Sequence, residues 1–211
     1  MKLLTFCSDS HVGLLRDFFM PSFYAHPEGF DSLVIARMEQ VCPSGGYKTP
    51  GWDHFFRAKI NRVIEELEAT KHGDFLYLVD CDVQWFNPLP SGRYLDIDLA
   101  GQDDGAGGFC PGIARIRVSN RMRSFWKALL TRVENSDRDE QFAINDLLAA
   151  APFRWSFFPS DQVWSTRSIW KLGDPIPDIP KGIIAHHANW THSVADKVGI
   201  LTAVRNAVLG R

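Results

Sequence analysis

Two apolar runs, Leu33 to Arg37 and Phe75 to Val79, bracket a segment whose apolar residues Phe56, Ile60, Val63, Ile64 and Leu67 recur at helical spacing, with Gly73 placed to stop it. This strand, helix, strand order most constrains the fold, because such units build parallel sheets covered by helices. Leu3 to Cys7 adds an opening strand, and Ile97 to Gly101, Ile113 to Val118, Trp155 to Phe158 and Gly182 to His186 are further candidates. Asn120 and Asp137 are placed to cap two helices, one carrying Phe125, Trp126, Leu129, Leu130 and Val133, the other Phe142, Leu147 and Leu148 until Pro152 ends it. Ser193 to Leu209 reads as a closing helix, with Val194, Val198, Leu201, Val204 and Val208 near one face. The expectation is an α/β fold with a mixed, mostly parallel central sheet flanked by helices. A single domain over residues 1–211 follows, with room for it to be one module of a longer protein.

Composition narrows the functional classes. A chain of 211 residues with 45% hydrophobic and 23% charged residues is an ordinary globular profile. Its formal net charge of −2 provides no basic footprint for nucleic acid, so an anionic partner must be met by local Lys and Arg. Cys7, Cys42, Cys81 and Cys110 lack paired spacing, which argues against a zinc ribbon or a disulfide scaffold and favours a reducing compartment such as the cytoplasm. The apolar opening is too short for a signal peptide, and no apolar stretch approaches the roughly 20 residues that span a bilayer.

The chemistry begins where the run Phe75 to Val79 meets Asp80-Cys81-Asp82. Residues two apart on a strand point to one side, so both carboxylates can share a divalent cation, and Mg²⁺ or Mn²⁺ sites often join one or two carboxylates to substrate phosphate oxygens. A lone Asp-x-Asp also fits a solvated turn. Open α/β sheets bind ligands beyond the carboxyl ends of their strands, which makes Thr5, Ser8 and Asp9 candidates to read a base or ribose; simple turn chemistry is the alternative. Lys59 or Arg57 could extend toward a diphosphate or remain solvated on its helix. The polar loop from Gly101 to Gly108 offers Asp103 and Asp104 to sugar hydroxyls. Late in the chain, an apolar run delivers His186 and His187, with Asn189 and Lys197 after them: an imidazole for the cation and an ammonium for phosphate. Trp52, Trp155, Trp164 and Trp170 could stack on a glycan, although core packing suits most of them.

Taken in order, these markers resemble the nucleotide-diphospho-sugar transferases of the GT-A fold, especially a family of retaining glycosyltransferases. The markers span most of the chain: Lys59 on its helix, Phe75 to Pro88 with the two aspartates, Gly108-Phe109-Cys110-Pro111-Gly112-Ile113, Asp139-Glu140-Gln141 to Asn145, and His187-Ala188-Asn189-Trp190 with Lys197. The resemblance implies that Asp80, Asp82 and His187, with His186 as the fallback, hold Mn²⁺ or Mg²⁺ against the diphosphate of a UDP-sugar. It implies that the end of the first strand receives uridine, that Lys197 contacts phosphate, that Lys59 and Asn189 also serve the donor, and that Asp103 and Asp104 hold the donor sugar. Glu140 and Gln141 would lie beside the anomeric carbon and form, with Asp104, the catalytic set. The family often has Asp-Gln there, so Glu140 is a departure that leaves any nucleophile open.

The implied activity is metal-dependent, retaining transfer of a hexose or deoxyhexose to a glycan or glycoprotein acceptor. Two alternatives stand beside it. A haloacid-dehalogenase-like phosphohydrolase also places Asp-x-Asp after an apolar strand, and Asp103-Asp104 could be its second pair, but its nucleophile normally lies on the first strand, whereas two candidate strands precede Asp80. The other alternative is a sugar-binding module on a decayed transferase scaffold.

Overall fold

Alternation along β1 (Lys2–Cys7) explains why its run is mostly apolar: Leu4 and Phe6 enter one core while Leu3 enters another. The computed structural model describes residues 1–42, 50–89, 94–136, 139–166, 174–175, 178–191 and 193–210. After β1 come short helical turns that include α1 (Val12–Leu14) and α2 (Met20–Ala25), then β2 (Ser32–Arg37), α3 (Trp52–Ala69), β3 (Phe75–Asp80) and β4 (Val83–Trp85). The chain continues through β5 (Leu99–Asp103), β6 (Phe109–Arg117), α4 (Asn120–Glu134), α5 (Glu140–Leu148), β7 (Trp155–Phe157), β8 (Val163–Ser165), β9 (Ala185–His187) and α6 (Val194–Leu209).

The main sheet has the order β2-β1-β3-β6-β5-β7, with β1 parallel to β2 and β3, β5 parallel to β7, and β6 antiparallel to both its neighbours. A small sheet, β4-β9-β8, stands beside it. On one face of the main sheet, Leu4, Phe6, Leu76 and Leu78 pack with Ile60, Val63 and Leu67 of α3 and with Met122 and Trp126 of α4. On the other, Leu3, Tyr77 and Val79 pack with Phe19, Phe23, Val83 and Trp85. A third cluster gathers Leu14, Phe18 and Ile183 under Ile200, Leu201 and Val204 of α6. Among the described residues no helix is long and apolar enough to cross a membrane.

Several boundaries differ from expectation for local physical reasons. Ser119, rather than Asn120, caps α4, because Ser119 has extended backbone and its hydroxyl accepts from Met122 N at 3.2 Å while Asn120 is already helical. Asp139 caps α5 by accepting from Phe142 N at 3.1 Å; Asp137 lies outside the described residues. That helix ends at Leu148, before Pro152, and its buried residues include Ala143, Ile144 and Leu148, whereas Phe142 is 50% exposed. Gly73, at φ 90°, forms the turn before β3 and is not the end of α3, which stops at Ala69. On α6 the buried stripe is Ile200, Leu201 and Val204, and Val198 is exposed. Strand β5 starts at Leu99 and β9 is confined to Ala185–His187. Strand β6 begins as early as Phe109 because its pairing with β5 jumps from Gly101↔Ala114 to Gln102↔Cys110. This bulge accommodates Pro111, which has no N–H for a ladder, and brings Gly112 to the rim of the site. The three-residue strands β4 and β8 are too short to show an alternation in the sequence.

Candidate active site

A cavity of about 360 Å³ opens where β1 and β3 end, lined by Ser8, Lys59, Asp80, Asp82, Glu140, Gln141, His187, Asn189 and Lys197 among others. Strand β1 has β2 on one side and β3 on the other, so the cavity lies at the point where the strand order reverses, the usual ligand position in open α/β sheets.

Two sheets meet at Cys81. Asp80 closes β3 in the main sheet, and Asp82 immediately precedes β4 in the small one. Val83 pairs with His187, and Ala188 N donates to Asp82 O at 3.1 Å, which fixes β9 against the second aspartate. His187 Nε2 therefore lies 3.3 Å from Asp82 Oδ1 and 4.0 Å from Asp80 Oδ2. Its other nitrogen, Nδ1, donates to Gln102 Oε1 at 2.8 Å, a contact that aims Nε2 at the carboxylates. Gly112 makes room for the ring, since a Cβ there would be 2.1 Å from His187 Cε1. One ligand atom from each of Asp80, Asp82 and His187 fits within 4.8 Å of the others. Atoms bound to one small divalent ion at about 2.1 Å lie roughly 3–4 Å apart, so this oxygen and nitrogen set fits Mg²⁺ or Mn²⁺.

Positive side chains balance the aspartates in the protein alone. Lys197 Nζ contacts Asp82 Oδ2 and donates to Ala188 O at 3.2 Å. Burial favours protonation of Asp82, but Lys197 and His187 more than reverse this and hold its pKa well below the usual value. Burial opposes a charge on His187, yet the neighbouring Asp82 outweighs it and pushes the pKa up to about 10. His186 does not share this role. It points to the other side of β9, where Gln84 Nε2 donates to its Nδ1 at 3.1 Å and its Nε2 meets the Thr166 hydroxyl. Burial lowers its pKa to about 3, so it is a neutral core histidine and the fallback assignment falls away.

Lys59 is buried, not extended toward solvent. Its Nζ lies 2.9 Å from Asp80 Oδ1 and 3.1 Å from Glu140 Oε2. Burial disfavours its charge, but the two carboxylates raise its pKa above the ordinary lysine value. Glu140 has its pKa raised, chiefly by burial, and its Oε1 has no hydrogen-bond partner. Gln141 Nε2 donates to Asp104 Oδ2 at 2.7 Å, while Asp104 Oδ1 accepts from Ala106 N and Gly108 N at 2.7 and 3.0 Å. Asp103 Oδ1 accepts from Gly105 N and Gly107 N at 2.7 and 3.1 Å. The two loop carboxylates thus organise their own turn and Gln141, and neither lines the cavity. Asn189 Oδ1 accepts from Ser165 Oγ at 2.6 Å, leaving a buried Nδ2 without a partner beside the cavity.

Of the residues expected at the end of β1, only Ser8 reaches the cavity; Thr5 is buried in the strand and Asp9 pairs with Arg37 on the surface. Arg57 is not on the cavity either. Trp155 packs against Phe109 and Phe157, Trp164 lies against His186, and Trp170 falls outside the described residues. Sequence reasoning missed His11, Gln102, Phe55, Phe56 and the cavity-facing position of Phe142, and it placed Gly112 in a marker without its role beside His187. Only His11 carried a local signal, in Ser8-Asp9-Ser10-His11 directly after the first strand; its Nδ1 is hydrogen-bonded to Ser10 Oγ at 2.8 Å.

No family model matches the chain, and no curated protein matches it in sequence. Solved structures do match it. A glycosyltransferase involved in the glycosylation of the major capsid of PBCV-1 superposes with a TM-score of 0.63 at 10% identity, over 97% of this chain and 98% of that one. The fold is GT-A. The galactosyltransferase LgtC, in complex with donor and acceptor sugar analogues, superposes with a TM-score of 0.56 at 13% identity, over 100% of this chain and 95% of that one. At these identities the likeness is one of GT-A architecture, and the chemistry rests on this chain's own residues.

Proposed function

We propose that this chain is a metal-dependent, retaining glycosyltransferase that moves a hexose or deoxyhexose from a UDP-sugar to a glycan or glycoprotein acceptor. The observation that carries this reading is the convergence of Asp80, Asp82 and His187 on one point, with Lys197 beside them, at the carboxyl edge of a GT-A sheet. Those three residues would hold Mn²⁺ or Mg²⁺, which supplies positive charge to the diphosphate as it leaves. Lys197 brings a second positive charge to the same place, and the Nδ2 of Asn189 offers a donor to a phosphate or hydroxyl oxygen. Ser8 and His11 mark the end of the cavity suited to the uridine.

Gln141 and Glu140 divide the work beside the anomeric carbon. Asp104 ties the Gln141 amide nitrogen, which leaves the carbonyl oxygen to support positive charge on the sugar. Lys59 holds Glu140 through Oε2 and blunts it as a nucleophile, so same-face attack with electrostatic support suits the site better than a covalent glycosyl-enzyme. Orientation of donor and acceptor in the cavity adds further barrier lowering. The two solved glycosyltransferases of like fold support this reading, and one of them holds donor and acceptor sugar analogues.

The phosphohydrolase alternative lacks its parts. Asp80 ends the third strand in an ion pair with Lys59, and Asp103 and Asp104 are engaged within their own turn. The test is to incubate the protein with UDP-hexoses and UDP-deoxyhexoses in Mn²⁺ or in chelator, measuring UDP release and the anomeric configuration of the product by NMR. Mn²⁺-dependent UDP release with retained configuration is expected. Phosphate release from simple phosphomonoesters without UDP release would favour the hydrolase, and sugar binding without turnover would favour the binding module.

A further inference from the structure

On α3, Trp52, Phe55, Phe56 and Lys59 stand at i, i+3, i+4 and i+7, and all four line the cavity. The Trp52 and Phe56 rings meet edge to face at 4.7 Å. Phe142, directly after Gln141, lines the same cavity and stays half exposed, although the neighbouring Ala143 and Ile144 are fully buried. Aromatic residues at this spacing normally face a core. Here the strip runs from the Lys59–Glu140 pair for about 10 Å along the helix toward Trp52, and its residues line the same cavity as the charged group Asp82, His187 and Lys197.

We infer that this aromatic strip is the acceptor subsite and that it takes a pyranose ring by its C–H face, so the acceptor is a sugar residue of a glycan and not the hydroxyl of an extended peptide. The inference rests on the transferase reading and adds the acceptor's chemical class. A diphosphate belongs at the charged end, and the rings begin next to the residues assigned to the anomeric carbon. A pyranose offers an apolar face to an aromatic ring and hydroxyls at its rim, and the same cavity is also lined by the polar side chains of Glu39 and Thr191. A lipid chain would need a longer apolar trough than one that ends at a buried ion pair.

Ligand-observed NMR titration with methyl hexopyranosides and with a short Ser/Thr peptide, each with and without UDP and Mn²⁺, tests this. Phe142→Ala should weaken binding of the best glycoside about tenfold, or about 1.4 kcal/mol, while Phe142→Tyr restores it and UDP affinity stays within about twofold. Equal weakening of UDP by Phe142→Ala would show that the ring reads the nucleobase and would overturn the proposal. Glycoside binding unchanged in both Phe142→Ala and Trp52→Ala, or binding of the peptide alone, would also overturn it. Failure of the wild type to bind UDP would instead sink the transferase reading, and the nucleotide-free glycoside titrations would still decide whether the strip holds a sugar.

Discussion

Replacing Gly112 by alanine tests whether the histidine is held where a cation needs it. On the present backbone the added Cβ would lie 2.1 Å from His187 Cε1, 2.7 Å from Nδ1 and 3.0 Å from Nε2. Carbon atoms pack at about 3.5 Å, so the ring would have to withdraw by about 1.4 Å. His187 is buried and bonded through Nδ1 to Gln102, and cation sites tolerate ligand displacements of only about 0.2 Å. Disturbing the orientation of a ligand costs about 10–100-fold in metal affinity, so Gly112→Ala should weaken Mn²⁺ binding by at least about tenfold. Overpacking should also cost about 1–3 kcal/mol of stability, which leaves room for a folded protein. The assay is titration of Mn²⁺ by electron paramagnetic resonance, with folding checked by circular dichroism. Gly182→Ala, where an added Cβ meets nothing within 4 Å, serves as the control. A folded Gly112→Ala protein that binds Mn²⁺ within about twofold of wild type would refute the reasoning.

Proton linkage gives a second outcome: a cation must displace the proton that Asp82 keeps on His187, whose pKa lies near about 10, so apparent Mn²⁺ affinity should climb about tenfold per pH unit around neutrality in calorimetric titration. Because that pKa is raised above the ordinary 6.5, its stabilisation is complete below that value and is lost as pH rises toward 10; denaturant melts of metal-free protein should weaken over this window. Lys59→Met strips the partner from buried Glu140 and should cost about 3–5 kcal/mol in urea unfolding, most of it recovered in the double variant Lys59→Met, Glu140→Gln. His186→Leu removes a buried ring bonded to Gln84 and Thr166, so it should lower the melting temperature, whereas His187→Ala should abolish Mn²⁺ binding.

What could be read in advance followed the range of the signal. Asp80 and Asp82 were legible because an apolar strand delivers them together, Asp80 as its last residue and Asp82 in the turn that follows, and β1 and β3 because their runs are buried on both faces; β2, an edge strand with only Ala36 buried, was legible from its apolar run alone. Lys59 was ambiguous, since a helix lysine usually faces solvent; only the convergence of α3, β3 and α5 shows that two carboxylates hold it. Asp103 and Asp104 looked like free sugar ligands in a polar loop, but Asx-type bonds to their own turn occupy them. Gln102 and Gly112 lie in segments that stood out in the sequence, but their role gave no warning, because each acts on His187 across the bulge between β5 and β6. Of the aromatic strip only Trp52 was legible, as one of four tryptophans able to stack on a glycan; Phe55 and Phe56 were hidden because they share the spacing of the core residues Ile60, Val63 and Leu67 on the same helix.

The central claim is that Asp80 and Asp82 hold a diphosphate through a cation. Calorimetric titration of UDP with and without Mn²⁺, on wild type, Asp80→Ala and Asp82→Ala, tests it most directly. The account predicts UDP binding that requires Mn²⁺ and is lost in both variants. UDP binding that is independent of Mn²⁺ and unchanged by either substitution would contradict it.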